Sequence, residues 1–276
     1  MSIIGWLLDA IVLLLLALIV YKQRWQKNML EALDERLPRA ISQHSQKSSI
    51  ATTRQLEELL RLCLRLELQP GALPPTRGYA ASPDFLNVLV DIVRERQPER
   101  VLELGSGVSS IVLGYLAEQH QAMAIFSIDH QEQYAEETRM RLSAAGVAGH
   151  VRVHVAPLRE QTFFSERKLW YDWSRLPLDN EYDLIVVDGP PIDETGSKGR
   201  EPVIELCGRA LRVGGQVVFD DAYRPGEQSI IARLAEEHGY TVSERVAEKG
   251  CVVLTKHSTP LAQAPDQVAS GQSPPP

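Results

Sequence analysis

A chain of 276 residues has room for one α/β domain of about 180–200 residues plus appendages. With 29 Lys and Arg against 36 Asp and Glu, its net charge of −7 excludes the basic stripe that a nucleic-acid surface needs, so no nucleic acid is expected as a partner. Cys63, Cys207 and Cys251 are odd in number and far apart; they make neither a disulfide framework nor a metal-ligand spacing, which points to a reducing compartment.

Residues 3–20 are almost wholly apolar, about the length a helix needs to cross a bilayer. Asp9 is the one charge within them, and Lys22, Arg24 and Lys27 follow directly. The expectation is an uncleaved anchor over 1–21. The basic residues behind it then put the rest of the chain on the cytoplasmic side of the inner membrane, single-pass. A cleaved signal peptide would want a basic start and a small-x-small site, and Leu18-Ile19-Val20-Tyr21 offers neither. Residues 22–75 read as a helical juxtamembrane linker with a break at Pro38. Leu56, Leu59, Leu60 and Cys63 recur at i, i+3, i+4 and i+7, with Leu64 widening the stripe. That face needs a cover: the chain's own domain, a second copy in a homodimer, or lipid headgroups.

The domain proper is expected over 76–257. Ser82-Pro83-Asp84 starts a helix whose core face is Phe85, Leu86, Leu89, Val90 and Val93. Val101–Leu104 is a short apolar run of the kind a buried parallel strand needs. Gly105-Ser106-Gly107 follows, then a helical pattern through Ile111, Val112, Tyr115 and Leu116, then a second strand ending in Asp129. Further on, 131–145 reads as a helix, 151–155 as strand three, 159–181 as an aromatic-rich insertion and 182–188 as strand four. A helix is expected over 198–211, strand five over 216–219, a helix over 228–238 and two last strands over 240–243 and 251–255. This β/α alternation implies a Rossmann-like, doubly wound, mostly parallel sheet of seven strands with helices on both faces. Residues 258–276 are a Ser/Pro/Gln/Ala tail, read as disordered.

Ligands in such a sheet sit beyond the carboxyl ends of the strands. Those ends carry Glu103-Gly105-Ser106-Gly107, Asp129-His130, Ala156-Pro157-Leu158, Asp188-Gly189-Pro190 and Asp220-Asp221. Glycines let the backbone approach a ligand at the positive end of the next helix, and Asp129 is placed to bind vicinal ribose hydroxyls. Two nucleoside cofactors fit this much. The dinucleotide fingerprint wants a third glycine where Ser110 stands, and an acid at Glu103 is awkward for a pyrophosphate. Glu103 suits a cationic ligand with an ammonium and a sulfonium.

The segment from Arg100 to Asp129 resembles motif I of the class I S-adenosylmethionine (SAM) dependent methyltransferases. Residues 182–188 resemble their second motif, and Gly214–Asp221 their strand-five motif. In detail both are similar to the caffeoyl-CoA and catechol O-methyltransferase branch, and the likeness runs from about Thr76 to Thr255. It implies a last strand inserted antiparallel and SAM as cofactor. Glu103, Gly105, Ser106 and Gly107 would then shape the methionine end of the pocket. Asp129 would hold the ribose, His130 line the adenine pocket, Ala156-Pro157-Leu158 edge the adenine, and Asp188 border the cofactor. Asp188, Asp220 and Asp221 would hold Mg²⁺ or another divalent cation. A cation so held lowers the pKa of an acceptor hydroxyl; without it His130, His154 or an Asp such as Asp188 or Asp220 acts as general base. Arg77 and Tyr79, ahead of the domain, stand where they could close over the SAM carboxylate. The expected acceptor is a small molecule or a lipid- or glycan-linked one at the membrane, and the aromatic insertion is the candidate lid over it. A catalytically silent scaffold and an NAD(P)-dependent oxidoreductase are the rival readings.

Overall fold

The computed structural model describes residues 18–27, 48–69, 71–78, 80–178 and 181–258. Contacts divide the chain into two compact units, Met1–Arg54 and Gln55–Pro276. In the first, residues 18–27 and 48–54 are helical.

The membrane anchor expected over 1–21 is corrected. Among the described residues no helix is long and apolar enough to cross a membrane. The described helical residues 18–27 include Leu18, Ile19 and Val20 of the apolar run, with Lys22, Arg24 and Lys27 after them. Residues 1–17, which hold the rest of the expected span, lie outside the described residues, as do Pro38 and the tail from 259. The single-pass, cytoplasm-facing placement at the inner membrane goes with the anchor.

Helix α1 (residues 48–65) leads into the second unit. Gln55 and Leu62 on it are buried, and Leu62, with Leu66 just past its end, packs in one core with Phe85 and Leu89. Leu56, Leu60 and Leu64 face outward, 57%, 58% and 80% exposed. The leucine stripe is therefore split between the domain and solvent. Polar anchors decide the split: Arg65 donates to the Asn87 carbonyl at 3.2 Å, and Asn87 Nδ2 donates to the Glu58 carbonyl at 2.8 Å. Those pairs turn α1 toward α2 (Pro83–Arg96) along one particular face. At the start of α2, Ser82 does not cap with its own hydroxyl; Asp84 Oδ1 takes the Phe85 amide at 2.9 Å and the Ser82 hydroxyl at 2.6 Å.

The elements that follow are β1 (Arg100–Leu104), α3 (Val108–Gln119), β2 (Ala124–Asp129), α4 (Glu132–Ala144) and β3 (Val151–Val155). Next come β4 (Leu158–Phe163), β5 (Glu166–Tyr171), β6 (Tyr182–Val187), a one-turn α5 (Ile192–Thr195) and α6 (Val203–Ala210). The chain ends with β7 (Leu211–Phe219), α7 (Pro225–Glu236), β8 (Thr241–Arg245) and β9 (Cys251–Thr255). The main sheet has seven strands in the order β3-β2-β1-β6-β7-β9-β8. All run parallel except β9, which is antiparallel to both β7 and β8. The antiparallel insertion implied by the resemblance is present.

The strands are apolar end to end because both faces are covered. Along β6, Leu184 and Val186 belong to the core under α2 and α3, whereas Ile185 and Val187 belong to the opposite core. That alternation sends the residue after Val187, Asp188, toward the α2/α3 side, and likewise Glu103 on β1. The 159–181 insertion is a two-stranded hairpin, β4 on β5, turned at Phe164 and Ser165 with φ of 51° and 66°. Its Trp170 and Tyr171 are fully buried in the second core.

Candidate active site

Strand register brings the candidate residues together. Leu104 pairs with Ile128 on one side and Val187 on the other, and Val187 pairs with Phe219. The ladder continues one residue beyond: Gly105 N donates to the Ile128 carbonyl at 2.9 Å, Asp188 N to Leu104 at 3.0 Å and Asp220 N to Val187 at 3.1 Å. The glycine turn, Asp129, Asp188 and Asp220 therefore stand side by side at one edge of the sheet.

Gly105 has a φ of 101°, which L side chains avoid, and a Cβ there would lie 3.1 Å from Gly189 N. The two glycine backbones are packed face to face. Behind the turn, Glu103 is fully buried and does not line the cavity. Its Oε2 accepts the Ser127 hydroxyl at 2.6 Å and the Ser110 hydroxyl, while Oε1 has no partner. Burial raises its pKa to about 7 against the lowering effect of the serine hydroxyls. The Ser110 hydroxyl also accepts the Gly107 amide at 3.1 Å, so the residue in place of a third glycine ties the start of α3 to Glu103. The acid shapes the turn from beneath.

Asp129 is 5% exposed and fully engaged. Its Oδ2 accepts the Ser106 hydroxyl at 2.6 Å, and its Oδ1 accepts the Gln131 amide at 3.0 Å with His130 Nδ1 at 3.4 Å. Burial pushes its pKa up, but bonds from His130, Ser106 and Gln131 outweigh this and leave it below the usual range. His130 bridges to Glu194 on α5, 3.0 Å from its Nε2. Burial pulls the imidazole down, yet Asp129 and Glu194 prevail and its pKa is raised.

The acids across the site differ. Asp188, Asp220 and Asp221 each offer a carboxylate oxygen within 4.8 Å of the others. Both oxygens of Asp220 are buried without a hydrogen-bond partner. Burial, then the neighbouring Asp188 and Asp221, lift Asp220 to about 8; burial also raises Asp188, against the pull of Arg200. Asp221, at φ 58°, faces Arg224 at 2.9 Å, Arg200 at 3.7 Å and Lys249 at 3.9 Å. An all-oxygen donor set with an unpartnered buried carboxylate fits a hard divalent cation. The three basic groups on Asp221 are an alternative source of positive charge.

A cavity of about 640 Å³ runs along this edge. Of the expected residues, Gly105, Ser106, Gly107, Asp129, His130, Asp188 and Asp221 line it. Ala156, Pro157 and Leu158 do not: Ala156 is buried, the Pro157 carbonyl takes the Asp172 amide at 2.9 Å, and Leu158 opens β4 opposite Tyr171. Asp220 sits behind the lining, at 0% exposure. Arg77 pairs with Glu248 at 3.0 Å, and Tyr79 lies outside the described residues. His154 stacks on Phe126 at 5.9 Å within the sheet, away from the lining.

Gly189, named with the turn after strand four, lines the cavity too, and Tyr171, Arg200 and Glu194 line it without having been given a site role. Arg200 is 3% exposed and donates to the carbonyls of Pro190, at 3.1 Å, and Asp188. It lies in a stretch whose pattern reads as helix, and nothing local marks it as a site residue.

No curated protein matches the chain. Among solved structures it is similar to the SAH-bound methyltransferase of Podospora anserina, with a TM-score of 0.54 at 16% identity over 79% of this chain and 96% of that one. A Staphylococcus aureus protein provisionally described as a caffeoyl-CoA O-methyltransferase gives 0.50 at 14% identity, over 73% and 99%. At such identities the likeness speaks for the fold. Residues 102–222 match the family described as "Methyltransferase domain", a span that runs from within β1 to just past Asp221 and so contains the glycine turn and all the acids above. Over residues 102–222 the chain is thus similar to a methyltransferase domain, on a fold it shares with solved methyltransferases.

Proposed function

We propose that this domain transfers a methyl group from SAM to a hydroxyl oxygen of a small-molecule acceptor. One observation carries the reading: a single cavity is bounded by Gly105 and Asp129 at one part and by Asp188 and Asp221 at another. Donor and acceptor thereby share one enclosure. Asp129 would take the ribose hydroxyls, exchanging the Ser106 hydroxyl for them, and the amide end of α3 would face the donor's carboxylate. Methyl transfer displaces a neutral thioether from a sulfonium, and the attacking oxygen must shed its proton. Asp188 and Asp221, which border the cavity, would accept a hydrogen bond from that hydroxyl. Holding the two reactants in line is worth up to about 7–11 kcal/mol.

Asp188, Asp220 and Asp221 would hold a divalent cation, which when bound would lower the pKa of the acceptor hydroxyl. The pairing of Asp221 with Arg224, Arg200 and Lys249 favours a second, metal-free version in which these cations neutralise the acids. With the anchor withdrawn, the reason for a lipid- or glycan-linked acceptor falls away.

Calorimetry on the full chain tests the reading. SAM and S-adenosylhomocysteine are expected to bind and NADH to give no heat; the reverse pattern would discard it. Turnover on catechol-type acceptors, measured before and after chelation and again with Mg²⁺ restored, separates the two versions.

A further inference from the structure

Tyr171 closes β5, and its ring is held edge-on against Trp170 with centroids 5.1 Å apart. The side chain is fully buried, and its hydroxyl has no hydrogen-bond partner. That hydroxyl lies over Gly189, 2.4 Å from where a Cβ would stand, and Gly189 in turn packs on Gly105. Tyr171 lines the cavity beside both glycines. The hairpin, absent from the sheet itself, thus delivers one phenol to the point where the glycine turn meets the Asp188-Gly189 turn.

An orphaned buried hydroxyl costs stability, and a Phe would fill the same space without that cost. Three carboxylates, Asp129, Asp188 and Glu103, act on the phenol electrostatically, yet none accepts its proton in a hydrogen bond. Burial, then Asp129, pushes its pKa well above the ordinary value of 10, so the oxygen keeps its hydrogen and acts as a donor.

We infer that Tyr171 is a cofactor-contacting residue whose hydroxyl donates to an oxygen on the ribose side of the bound sulfur nucleoside. This rests on the SAM reading given above. It also reassigns the aromatic insertion: a wall of the cofactor pocket rather than a lid over the acceptor.

Tyr171→Phe in the full chain, with S-adenosylhomocysteine as probe, tests the inference. Calorimetry is expected to give a Kd about five- to tenfold weaker than the parent's, the range for one lost neutral hydrogen bond. The ligand-free melting temperature should equal or exceed the parent's, and the rise on adding ligand should shrink. A purely structural tyrosine would do the opposite, lowering the ligand-free melt and sparing the Kd. A Kd within twofold of the parent's, or a ligand-free melt several degrees lower, overturns the inference alone. Failure of the parent itself to bind the probe overturns the SAM reading, and this inference with it.

Discussion

Two aspartates at strand ends along one edge of the sheet are held in opposite ways. Asp129, closing β2, has both oxygens bonded, and its pKa lies below the usual range. Asp220, just past β7, has neither oxygen bonded, and its pKa is pushed up to about 8. Residue type and place in the fold are alike; the surroundings are not. Asp129 is flanked by a serine, an amide and an imidazole, all donors. Asp220 is flanked by two more carboxylates and a sheet. One side of the site is finished before any ligand arrives, and the other is completed only by a proton, a cation or a substrate hydroxyl.

The hardest blow to this contrast is Asp129→Ala. It would remove the proposed acceptor for ribose hydroxyls and strand the Gln131 amide, while the Ser106 hydroxyl keeps only Thr138 Oγ1 at 3.2 Å. Two hydrogen bonds to a charged group, about 1.5–3 kcal/mol each, correspond to at least a hundredfold loss of S-adenosylhomocysteine affinity. Calorimetry showing a loss under fivefold would mean that the finished side does not hold the ribose.

Gly105→Ala strikes the hinge between the sides. A methyl at φ 101°, 3.1 Å from Gly189 N, costs about 1–3 kcal/mol and lowers the melting temperature by about 4–10 °C. An unchanged melt would show that the two turns have room to part.

Asp220→Asn sharpens the unfinished side through pH. The folded-state pKa of about 8 lies above the ordinary 3.8, so between those values the native state keeps a proton that the unfolded chain has lost. Native stability therefore declines as pH rises through that window. Asparagine removes the slope, and its gain over the parent, on the order of 1–2 kcal/mol, should be largest above pH 8 in a chelating buffer and absent near pH 4. Melts across pH 4–9 that run parallel would refute this.

His130→Asn tests the finished side most gently. The raised imidazole pKa means that its pairing with Asp129 and Glu194 stabilises fully below the unfolded value of 6.5 and fades as pH climbs through the folded one. The variant should melt lower than the parent at pH 6, by no more than about 1 kcal/mol, and match it by pH 9. A constant offset would assign His130 a packing role.

Local patterns made much of this legible. Val101–Leu104 and Tyr182–Val187 are apolar runs cut off by Gly or Asp, the pattern of a buried parallel strand. Val151–Val155 matches its strand bounds to the residue. The hairpin was not legible as such: its turn is Phe164-Ser165 rather than the Asn-Gly or Asp-Gly that signals tight hairpins. Strand β7 begins at Leu211, five residues before the apolar stretch Gln216–Phe219, because pairing with β6 recruits a polar segment that no periodicity marks. Of the leucines on α1, spacing could not say which would be covered, since 3.6-residue geometry permits two overlapping faces and the partner's polar anchors choose.

By itself, the order of residues determined which groups end the strands, since the glycine turns and the acids adjoin the runs that form the sheet. It also determined the cofactor class suggested by an acid two residues before a Gly-x-Gly turn. Only the tertiary structure decided that Glu103 works from beneath the turn, that Asp220 is left unbonded while Asp129 is not, and that Tyr171 reaches the cavity at all. The reason is that strand identity follows from short-range hydrophobic pattern. Burial, pairing and proton affinity belong instead to whatever the register sets alongside: Ser110 and Ser127 for Glu103, Asp188 and Asp221 for Asp220.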